Sequence, residues 1–234
     1  MHGFCVEFFD DFMSFSFSYD SMRNFYGLMS LYSAGDMGKS ASFTDKRALW
    51  LRKRGMDILS LRCVRQVHGK EIVDASSFFP GREPSADGLF CTDASLVCGV
   101  TVADCMPVWI FREDGTAWGI VHSGWKGTGI AGILADSLGD GKKVAVLGPS
   151  IRSCCYEVDT ERAWSFAADF GEEAVVERED GFYLDLAAAN RSLLEERGLT
   201  VYTVDACTCC DMRFGSYRRE GPDFTHMLAL CGRA

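Results

Sequence analysis

The sequence has no excess of basic residues and no long apolar segment. It carries 24 Lys and Arg against 33 Asp and Glu, a formal net charge of −9. An acidic chain without a basic stripe is a poor ligand for nucleic acid or an anionic membrane surface. The longest stretch without a charged residue, Asn24 to Gly35, has twelve residues, whereas a membrane-spanning helix needs about twenty apolar ones. We therefore expect no nucleic-acid partner and no membrane association.

The first residues also give no reason to expect a secretory leader. No basic segment precedes the first apolar run, and Asp10 and Asp11 interrupt that run. The eleven cysteines are an odd number, and disulfides form mainly in oxidising compartments. We expect a cytoplasmic protein in which most cysteines are small, buried packing residues. This expectation includes Cys154-Cys155 and the segment 207–210, whose spacing matches a tetrahedral metal site poorly.

Hydrophobic periodicity predicts strands and helices that interleave without a linker or an internal repeat. The predicted strands cover 15–19, 61–68, 96–102, 108–111, 117–122, 144–147 and 199–204. The predicted helices cover 44–54, 130–138, 159–170 and 186–197, the third capped by Asp159 and the fourth followed by Gly198. This pattern predicts a single domain, 1–234, with an α/β (α+β) fold arranged as a mixed-sheet layered sandwich.

Two of the four histidines end predicted strands, and a cysteine lies between them in the sequence. His68 precedes a glycine, His122 precedes Ser-Gly, and Cys105 follows Asp104 at a strand junction. Two imidazoles and a thiolate suit zinc or copper, and a set of three protein ligands leaves one position for water or substrate. The spacing alone equally fits two hydrogen-bonded histidines and a buried packing cysteine, because no HExxH word or paired CxxC word is present.

A glycine-rich loop follows His122 and leads into a predicted helix. Its sequence, GWKGTG at 124–129, predicts either a tight turn or an anion site, because glycines let backbone N–H groups approach phosphate at a helix N-terminus. Lys126, Arg218 and Arg219 are candidate cationic donors, or else solvated surface charges. Asp87 and Asp104 are candidates to orient a metal-bound histidine or to accept a proton, with turn capping as the alternative.

Nine short words in a fixed order resemble one known family. They are QVHG (66–69), ADG (86–88), ADCMPV (103–108), HSGWKG (122–127), GPSI (148–151), CCYEV (154–158), LDL with Asn190 (184–190), CT (207–208) and SYRR (216–219). Over about two thirds of its length the chain resembles the laccase-domain family, also called YfiH-like or multicopper polyphenol oxidoreductase-like.

The resemblance implies a fold, a metal and an activity. It implies a layered YfiH-like α/β fold related to a bacterial toxin deamidase domain, with the metal on His68, Cys105 and His122. The implied enzyme is a zinc-dependent purine nucleoside phosphorylase that also deaminates adenosine and cleaves methylthioadenosine. The expected catalytic residues are the three ligands and Asp104. The expected substrate and phosphate contacts are Gly124, Lys126, Gly127, Arg218 and Arg219. The expected partners are a purine nucleoside and phosphate, with no obligate protein partner.

The chain departs from the family pattern at two positions that carry arginine in the family. A Ser-Thr-Arg-Gly-Gly-like word near the N-terminus is missing, and 14–19 occupies the corresponding region without an arginine. Near the C-terminus, Thr225-His226 stand before Met227 where the family has Gly-Arg. Both differences remove potential anion donors and leave phosphate use and substrate range open.

Two other activities fit the same three residues. Cys105 as nucleophile with His122 as base would make a thiol hydrolase or amidase, including one that edits peptidoglycan precursors, but a zinc-bound thiolate is a poor nucleophile. Copper at the same ligands would make a laccase-like polyphenol oxidase, although only one such triad is legible in the sequence. A non-enzymatic binding module would leave the three ligand residues unexplained.

Overall fold

The computed structural model describes residues 3–38 and 45–233, which form fifteen β-strands and five α-helices. The strands are β1 (Phe4–Phe8), β2 (Phe12–Phe17), β3 (Phe25–Ser30), β4 (Leu61–Cys63), β5 (Ile72–Asp74), β6 (Gly88–Cys91), β7 (Val97–Val102), β8 (Met106–Arg112), β9 (Trp118–Ser123), β10 (Lys143–Leu147), β11 (Glu157–Val158), β12 (Val175–Arg178), β13 (Gly181–Leu184), β14 (Thr200–Thr203) and β15 (Met227–Arg233). The helices are α1 (Asp45–Arg52), α2 (Ile130–Ser137), α3 (Thr160–Phe170), α4 (Leu186–Glu195) and α5 (Tyr217–Glu220).

The strands form two six-stranded sheets and one small sheet. The first sheet has the order β1-β2-β3-β15-β7-β4, the second β14-β10-β8-β9-β6-β5, and the third β11-β13-β12. Both large sheets are mixed, because β4 pairs in parallel with β7 in the first sheet and β14 in parallel with β10 in the second, while their central pairs are antiparallel.

The two large sheets pack face to face around an aromatic core. Phe15 from the first sheet meets Trp109 from the second with ring centroids 5.0 Å apart in an edge-to-face arrangement, the geometry that aromatic quadrupoles favour. Trp109 is fully buried, and its Nε1 donates a hydrogen bond to the carbonyl oxygen of Leu230 at 3.1 Å. This bond satisfies its one polar group and ties the sheets together.

Helices cover the outer faces of both sheets. Buried residues of α2, α3 and α4 pack on the second sheet, and α1 packs on the first sheet through Trp50 and Leu51. The layers are therefore helix, sheet, sheet, helix. The prediction of a layered α/β sandwich with mixed sheets is confirmed, whereas the domain limits of 1–234 stay a prediction.

Most predicted elements occur within a few residues of their predicted bounds. The Asp159 side chain caps α3 by accepting a hydrogen bond from the Arg162 backbone N–H, and Gly198 after α4 has a φ of +77°. The predicted helix 44–54 is observed as α1, and Thr44 lies outside the described residues. The small third sheet was not predicted.

The predicted strand 61–68 is wrong in its second half. Strand β4 ends at Cys63, and His68 adopts a φ of +59°, a left-handed conformation that no strand contains. His68 therefore lies in a loop and not at a strand end.

None of the helices in 3–38 and 45–233 has the length and apolarity required to cross a bilayer.

Candidate active site

Strand pairing brings Cys105 and His122 together. In the β8–β9 register Pro107 lies opposite His122 and Met106 opposite Ser123, so Cys105, just before β8, lies beside the end of β9. His68 approaches from the loop after β4. The side-chain ligand atoms of His68, Cys105 and His122 all lie within 4.8 Å of one another. The fold thus brings together all three residues that the resemblance assigned to a metal.

A single buried carboxylate, Asp87, holds two of these side chains in place. Its Oδ1 accepts hydrogen bonds from the His68 backbone N–H at 2.9 Å and lies 3.0 Å from Nδ1 of His122. Its Oδ2 accepts bonds from the backbone N–H groups of Gly69 at 2.7 Å and Val67 at 3.2 Å. Burial opposes the ionisation of this carboxyl, but the bonds from His122, Gly69 and Val67 hold its pKa below the ordinary range.

The hydrogen bond to Asp87 also sets the orientation of the His122 ring. A carboxylate accepts from Nδ1–H, which leaves the Nε2 lone pair of a neutral ring directed towards Cys105 and His68. The rings of His68 and His122 are nearly perpendicular, with centroids 4.9 Å apart. This carboxylate–histidine arrangement is the one that usually stands behind a metal-binding imidazole.

Hydrogen bonds fix both ends of the QVHG segment, 66–69. The Gln66 side chain bonds the backbone of Thr101 in both directions, with Nε2 donating to the carbonyl oxygen and Oε1 accepting from N–H, each at 2.8 Å. The loop is thereby pinned to β7 on one side and to Asp87 on the other. Two fixed ends allow His68 to keep its left-handed backbone, which costs free energy for a residue with a Cβ.

Cys105 and His122 form an ion pair when no metal is bound. Burial opposes ionisation of the Cys105 thiol, but the His122 and His68 side chains lower its pKa to about 6. Burial would likewise lower the pKa of His122, but Cys105 and Asp87 raise it to about 9. Between these two pH values the thiolate faces an imidazolium, so a metal that binds there displaces one proton from His122.

The pH dependence of Cys105 alkylation in metal-free protein tests this ion pair. A thiol reacts as its thiolate, so the rate should rise with pH and reach half its maximum near pH 6, where the pKa of Cys105 lies. His122→Gln removes the cation and should move the midpoint upward, towards about 8.5. Mass spectrometry of the peptide containing Cys105 measures the rate. Equal midpoints in both proteins would contradict the ion pair.

The donor set fits a borderline-soft divalent ion. One thiolate and two imidazoles are zinc and copper ligands, and Asp87 supplies the outer hydrogen bond that such an imidazole requires. Zinc or copper would be held by His68, Cys105 and His122, of which His68 and Cys105 also line the cavity described below.

Asp104 contacts neither of these histidines through its carboxylate bonds. Its Oδ1 accepts from the Thr208 hydroxyl and its Oδ2 from the Arg218 backbone N–H, each at 2.7 Å. It is buried and has a φ of +80°. The expectation that Asp104 orients a histidine is therefore wrong, and Asp87 has that position. Asp104 instead ties the backbone just before Cys105 to the 207–218 region.

The glycines of the 124–129 loop are required by close packing. A Cβ at Gly124 would lie 2.7 Å from Sγ of Cys105, and one at Gly127 would lie 3.0 Å from the carbonyl oxygen of Gly69. Both contacts are tighter than a side chain tolerates. The loop therefore lies against the back of the three candidate ligands. Lys126 is exposed, with its Nζ 5.3 Å from the centre of the Trp125 ring.

A cavity of about 650 Å³ opens in front of His68 and Cys105. Among the residues predicted to bind phosphate, Arg218 lines it, whereas Gly124, Lys126, Gly127 and Arg219 do not. The Arg218 guanidinium donates to the carbonyl oxygens of Cys155 and Glu157. The Arg219 guanidinium donates to those of Thr208 and Cys209. The guanidinium groups of Arg218 and Arg219 thus connect neighbouring segments through hydrogen bonds to backbone carbonyl oxygens.

Several cavity residues were not predicted from the sequence. Two are cationic and three are aromatic: Arg65, Arg162, Tyr156, Tyr217 and Phe224. The Arg162 guanidinium lies 4.5 Å from the centre of the Trp125 ring, which holds it at the cavity rim. His226 also lines the cavity, at the position where the family resemblance expects an arginine. No spacing rule links these residues, because they come from separate loops and helices, with Arg162 on α3 and Tyr217 on α5.

Comparison with known proteins agrees with this arrangement. A family model described as multi-copper polyphenol oxidoreductase laccase matches residues 24–234. The chain belongs to this family. The family description names copper chemistry, and the His68, Cys105 and His122 cluster is the corresponding candidate metal centre in this member.

Two curated relatives are similar over most of the chain. Purine nucleoside phosphorylase YlmD of Geobacillus stearothermophilus is 31% identical over 195 residues, covering 73% of this chain and 71% of the relative. A purine nucleoside phosphorylase of Deinococcus radiodurans is 33% identical over 178 residues, covering 72% and 68%. The crystal structure of the Geobacillus YlmD superposes with a TM-score of 0.83 at 24% identity, covering 97% of each chain. This superposition confirms the YfiH-like fold.

Proposed function

We propose that this protein is a zinc-dependent purine nucleoside phosphorylase whose metal is held by His68, Cys105 and His122. The observation that carries the proposal is the convergence of two imidazoles and a thiol, with ligand atoms within 4.8 Å, beside a cavity that His68 and Cys105 line. The names of the relatives support the reaction, since both are purine nucleoside phosphorylases.

The cavity suits a nucleoside in size and in the chemistry of its walls. Its volume of about 650 Å³ falls within the range of small-molecule sites, roughly 300–1,000 Å³. Tyr156, Tyr217 and Phe224 offer aromatic surfaces for a purine ring, and Ile151 and Leu186 add apolar wall. Burial raises the pKa of Tyr156, so its hydroxyl stays protonated near neutral pH and can donate a hydrogen bond to the substrate.

Phosphate binding in this proposal rests on Arg65 and Arg162. Both line the cavity, unlike Lys126 and Arg219. Arginine is well suited to a phosphate because its planar guanidinium donates two parallel hydrogen bonds. The two family arginines that this chain lacks would thus be replaced by arginines from other segments, and Arg162, on α3, is held by its contact with Trp125.

The chemistry divides between the metal and the residues that hold it. Zinc would supply a Lewis acid beside the bound substrate. Asp87 keeps the His122 ring oriented, and the thiolate of Cys105 would neutralise one of the ion's two positive charges. In phosphorolysis the bond between the ribose and the purine breaks, phosphate bonds to the ribose carbon, and the purine leaves. Cationic side chains at the rim would neutralise the phosphate as it approaches.

The proposal includes two further activities at the same site, adenosine deamination and methylthioadenosine cleavage. Adenosine deamination requires water in place of phosphate, and cleavage of methylthioadenosine requires room for a 5′ substituent in the cavity. His226 and Phe224 line the same cavity as Tyr156.

Nucleoside turnover with controlled metal and phosphate tests the proposed function. Zinc-loaded protein should release hypoxanthine from inosine only when phosphate is present, and should convert adenosine to inosine without it. Arg162→Gln should raise the KM for phosphate at least tenfold, because a hydrogen bond to a charged group contributes about 1.5–3 kcal/mol. Lys126→Gln, outside the cavity lining, is the matched control. A fully zinc-loaded protein that consumes neither nucleoside would overturn the proposal.

A thiol hydrolase or amidase is the second candidate, favoured by one specific observation. Asp87, His122 and Cys105 form a hydrogen-bonded series in which the thiol pKa is lowered to about 6, as in a nucleophile–base–orienting-group triad. Metal content decides between the two, since metal-free protein would be the active form of a thiol enzyme. Copper loading followed by phenol oxidation tests the polyphenol oxidase alternative in the same samples.

A further inference from the structure

A second group of thiols converges away from the candidate active site. Cys154 and Cys155 lie in the turn between β10 and β11, and Cys207 and Cys210 lie in the loop after β14. Their four Sγ atoms all lie within 4.8 Å of one another. Cys210 Sγ is 3.6 Å from that of Cys154 and 3.2 Å from that of Cys155. The expectation that these cysteines are only packing residues does not account for this convergence.

These separations are close to those of a tetrahedral thiolate site. Zinc–sulfur bonds of about 2.3 Å place tetrahedral ligand atoms roughly 3.8 Å apart. The Cys210 separations of 3.6 Å from Cys154 and 3.2 Å from Cys155 lie close to that spacing. The 207–210 segment also contains a CxxC pair, Cys207 and Cys210, which is the ligand spacing of many zinc sites.

Backbone hydrogen bonds hold together the two segments that carry these thiols. Residues 150 and 207 form a parallel bridge, and the Thr208 N–H donates to the carbonyl oxygen of Ser150 at 3.1 Å. The two thiol pairs are therefore held on adjacent, hydrogen-bonded segments.

Exposure distinguishes this group from the packing cysteines of the core. Cys98 and Cys231 are fully buried, as free cysteines usually are, whereas Cys154 and Cys210 are exposed. The neighbouring Cys209 is not a member of the group; like Cys155, it is partly buried and packs against the core. The 207–210 loop thus contributes two of its three thiols to the group.

We propose that Cys154, Cys155, Cys207 and Cys210 bind a structural zinc ion as a four-thiolate site. Four protein ligands fill a tetrahedral ion, so this site leaves no position for substrate. The ion supplies the positive charge without which four thiolates at this distance would repel one another. Binding releases protons from the thiols, and the site is independent of the proposed nucleoside chemistry.

The ion would cross-link loops that reach the candidate active site. The carbonyl oxygen of Cys155 accepts a hydrogen bond from the Arg218 guanidinium at 2.9 Å, and the Thr208 hydroxyl bonds Asp104, next to Cys105. Loss of the ion should therefore loosen the cavity wall without removing a ligand of the first cluster. Its expected signature is a higher KM for nucleoside with little change in kcat.

Metal stoichiometry of matched cysteine variants tests the site. After zinc reconstitution under reducing conditions and dialysis, wild type should hold two equivalents of zinc. The Cys154→Ser/Cys210→Ser double variant and the Cys105→Ser variant should each hold one. Cys209→Ala, which removes a thiol from the same loop, should hold two. Equal zinc content in wild type and the Cys154/Cys210 variant, or no zinc in the Cys105→Ser variant, would overturn the inference.

Cobalt substitution provides a readout that does not depend on the folding of the double variant. In the Cys105→Ser background a single equivalent of cobalt should give the intense sulfur-to-metal charge-transfer bands of four thiolates. The single Cys210→Ser change should weaken these bands, and Cys209→Ala should not. Weak bands with Cys105→Ser, or a disulfide between any two of the four cysteines in protein purified without reductant, would contradict a resident metal. These metal-binding measurements do not require nucleoside turnover, so they test the four-cysteine site even if the proposed phosphorylase activity is absent.

Discussion

Replacing Cys105 with Ser should remove the metal from the His68, Cys105 and His122 cluster and lower nucleoside turnover at least a hundredfold. Loss of a group that only orients a ligand already reduces metal affinity or activity by about 10–100-fold, and loss of the ligand itself should cost no less. The anionic thiolate is the only negative ligand in this cluster, so a neutral hydroxyl leaves the ion bound by two imidazoles alone. Elemental analysis and inosine phosphorolysis measure both effects.

Replacing Cys105 with Asp distinguishes a metal-ligand role of Cys105 from a nucleophilic one. Asp ligates zinc at about 2.0–2.2 Å but cannot carry out thiol chemistry. Cys105→Asp should therefore retain the metal and part of the turnover if Cys105 is a ligand, and should be inactive if it is a nucleophile. Cys5→Ser, an exposed thiol on β1, is the control and should match wild type. Full metal content and full turnover in Cys105→Ser would contradict both roles.

Replacing Asp87 with Asn should weaken metal binding by about 10–100-fold although Asp87 touches no metal. The carboxylate is bonded to three backbone N–H groups and to Nδ1 of His122. Asn offers one acceptor oxygen instead of two, so some of these buried donors lose their partner, and its own N–H₂ group faces other donors. His122 then loses its orientation and His68 its loop anchor. Competition with a chromophoric chelator measures the affinity.

The same variant should unfold more easily, with a characteristic pH dependence. Buried donors without partners cost about 1–3 kcal/mol each, so we expect a loss of about 2–5 kcal/mol in urea unfolding near pH 7. The pKa of Asp87 is lowered by folding, so its contribution is present above the unfolded value of about 3.9 and is lost as pH falls through the lower folded value. The difference between wild type and variant should therefore shrink in acid.

A matched control separates Asp87 from a general effect of losing a charge. Asp140 is exposed in the segment before β10, and Asp140→Asn should change neither metal affinity nor stability by more than about 0.5 kcal/mol. If Asp87→Asn binds metal as tightly as Asp140→Asn, the hydrogen bond to His122 does not orient a ligand.

Asp87 and Asp104, from the ADG (86–88) and ADCMPV (103–108) words, both follow an alanine in the sequence, but they have different hydrogen-bond partners in the structure. Asp87 lies opposite His122 because Gly88 pairs with Val121 between β6 and β9. Asp104 instead faces Thr208 and the Arg218 backbone. Local sequence does not distinguish these environments, because each depends on the strand or loop that the fold places opposite.

Local patterns predicted much of the architecture. Alternation and apolar runs marked the strands that became β8, β9 and β10, and the capping residue Asp159 marked the start of α3. These features depend on interactions within a few residues, which a sequence displays directly. Strand β4 was predicted too long because the left-handed backbone of His68 depends on Asp87, about twenty residues away.

By itself, the sequence determined the layered α/β class, the family resemblance and the three side chains that converge beside the cavity. Only the tertiary structure decided that Asp87, not Asp104, orients His122, that Arg65 and Arg162 line the cavity, and that two cysteine pairs meet. The physical reason is that hydrogen bonds and ligand sets join side chains from distant segments. Their distances follow from strand order and loop packing, which residue spacing along the chain does not contain.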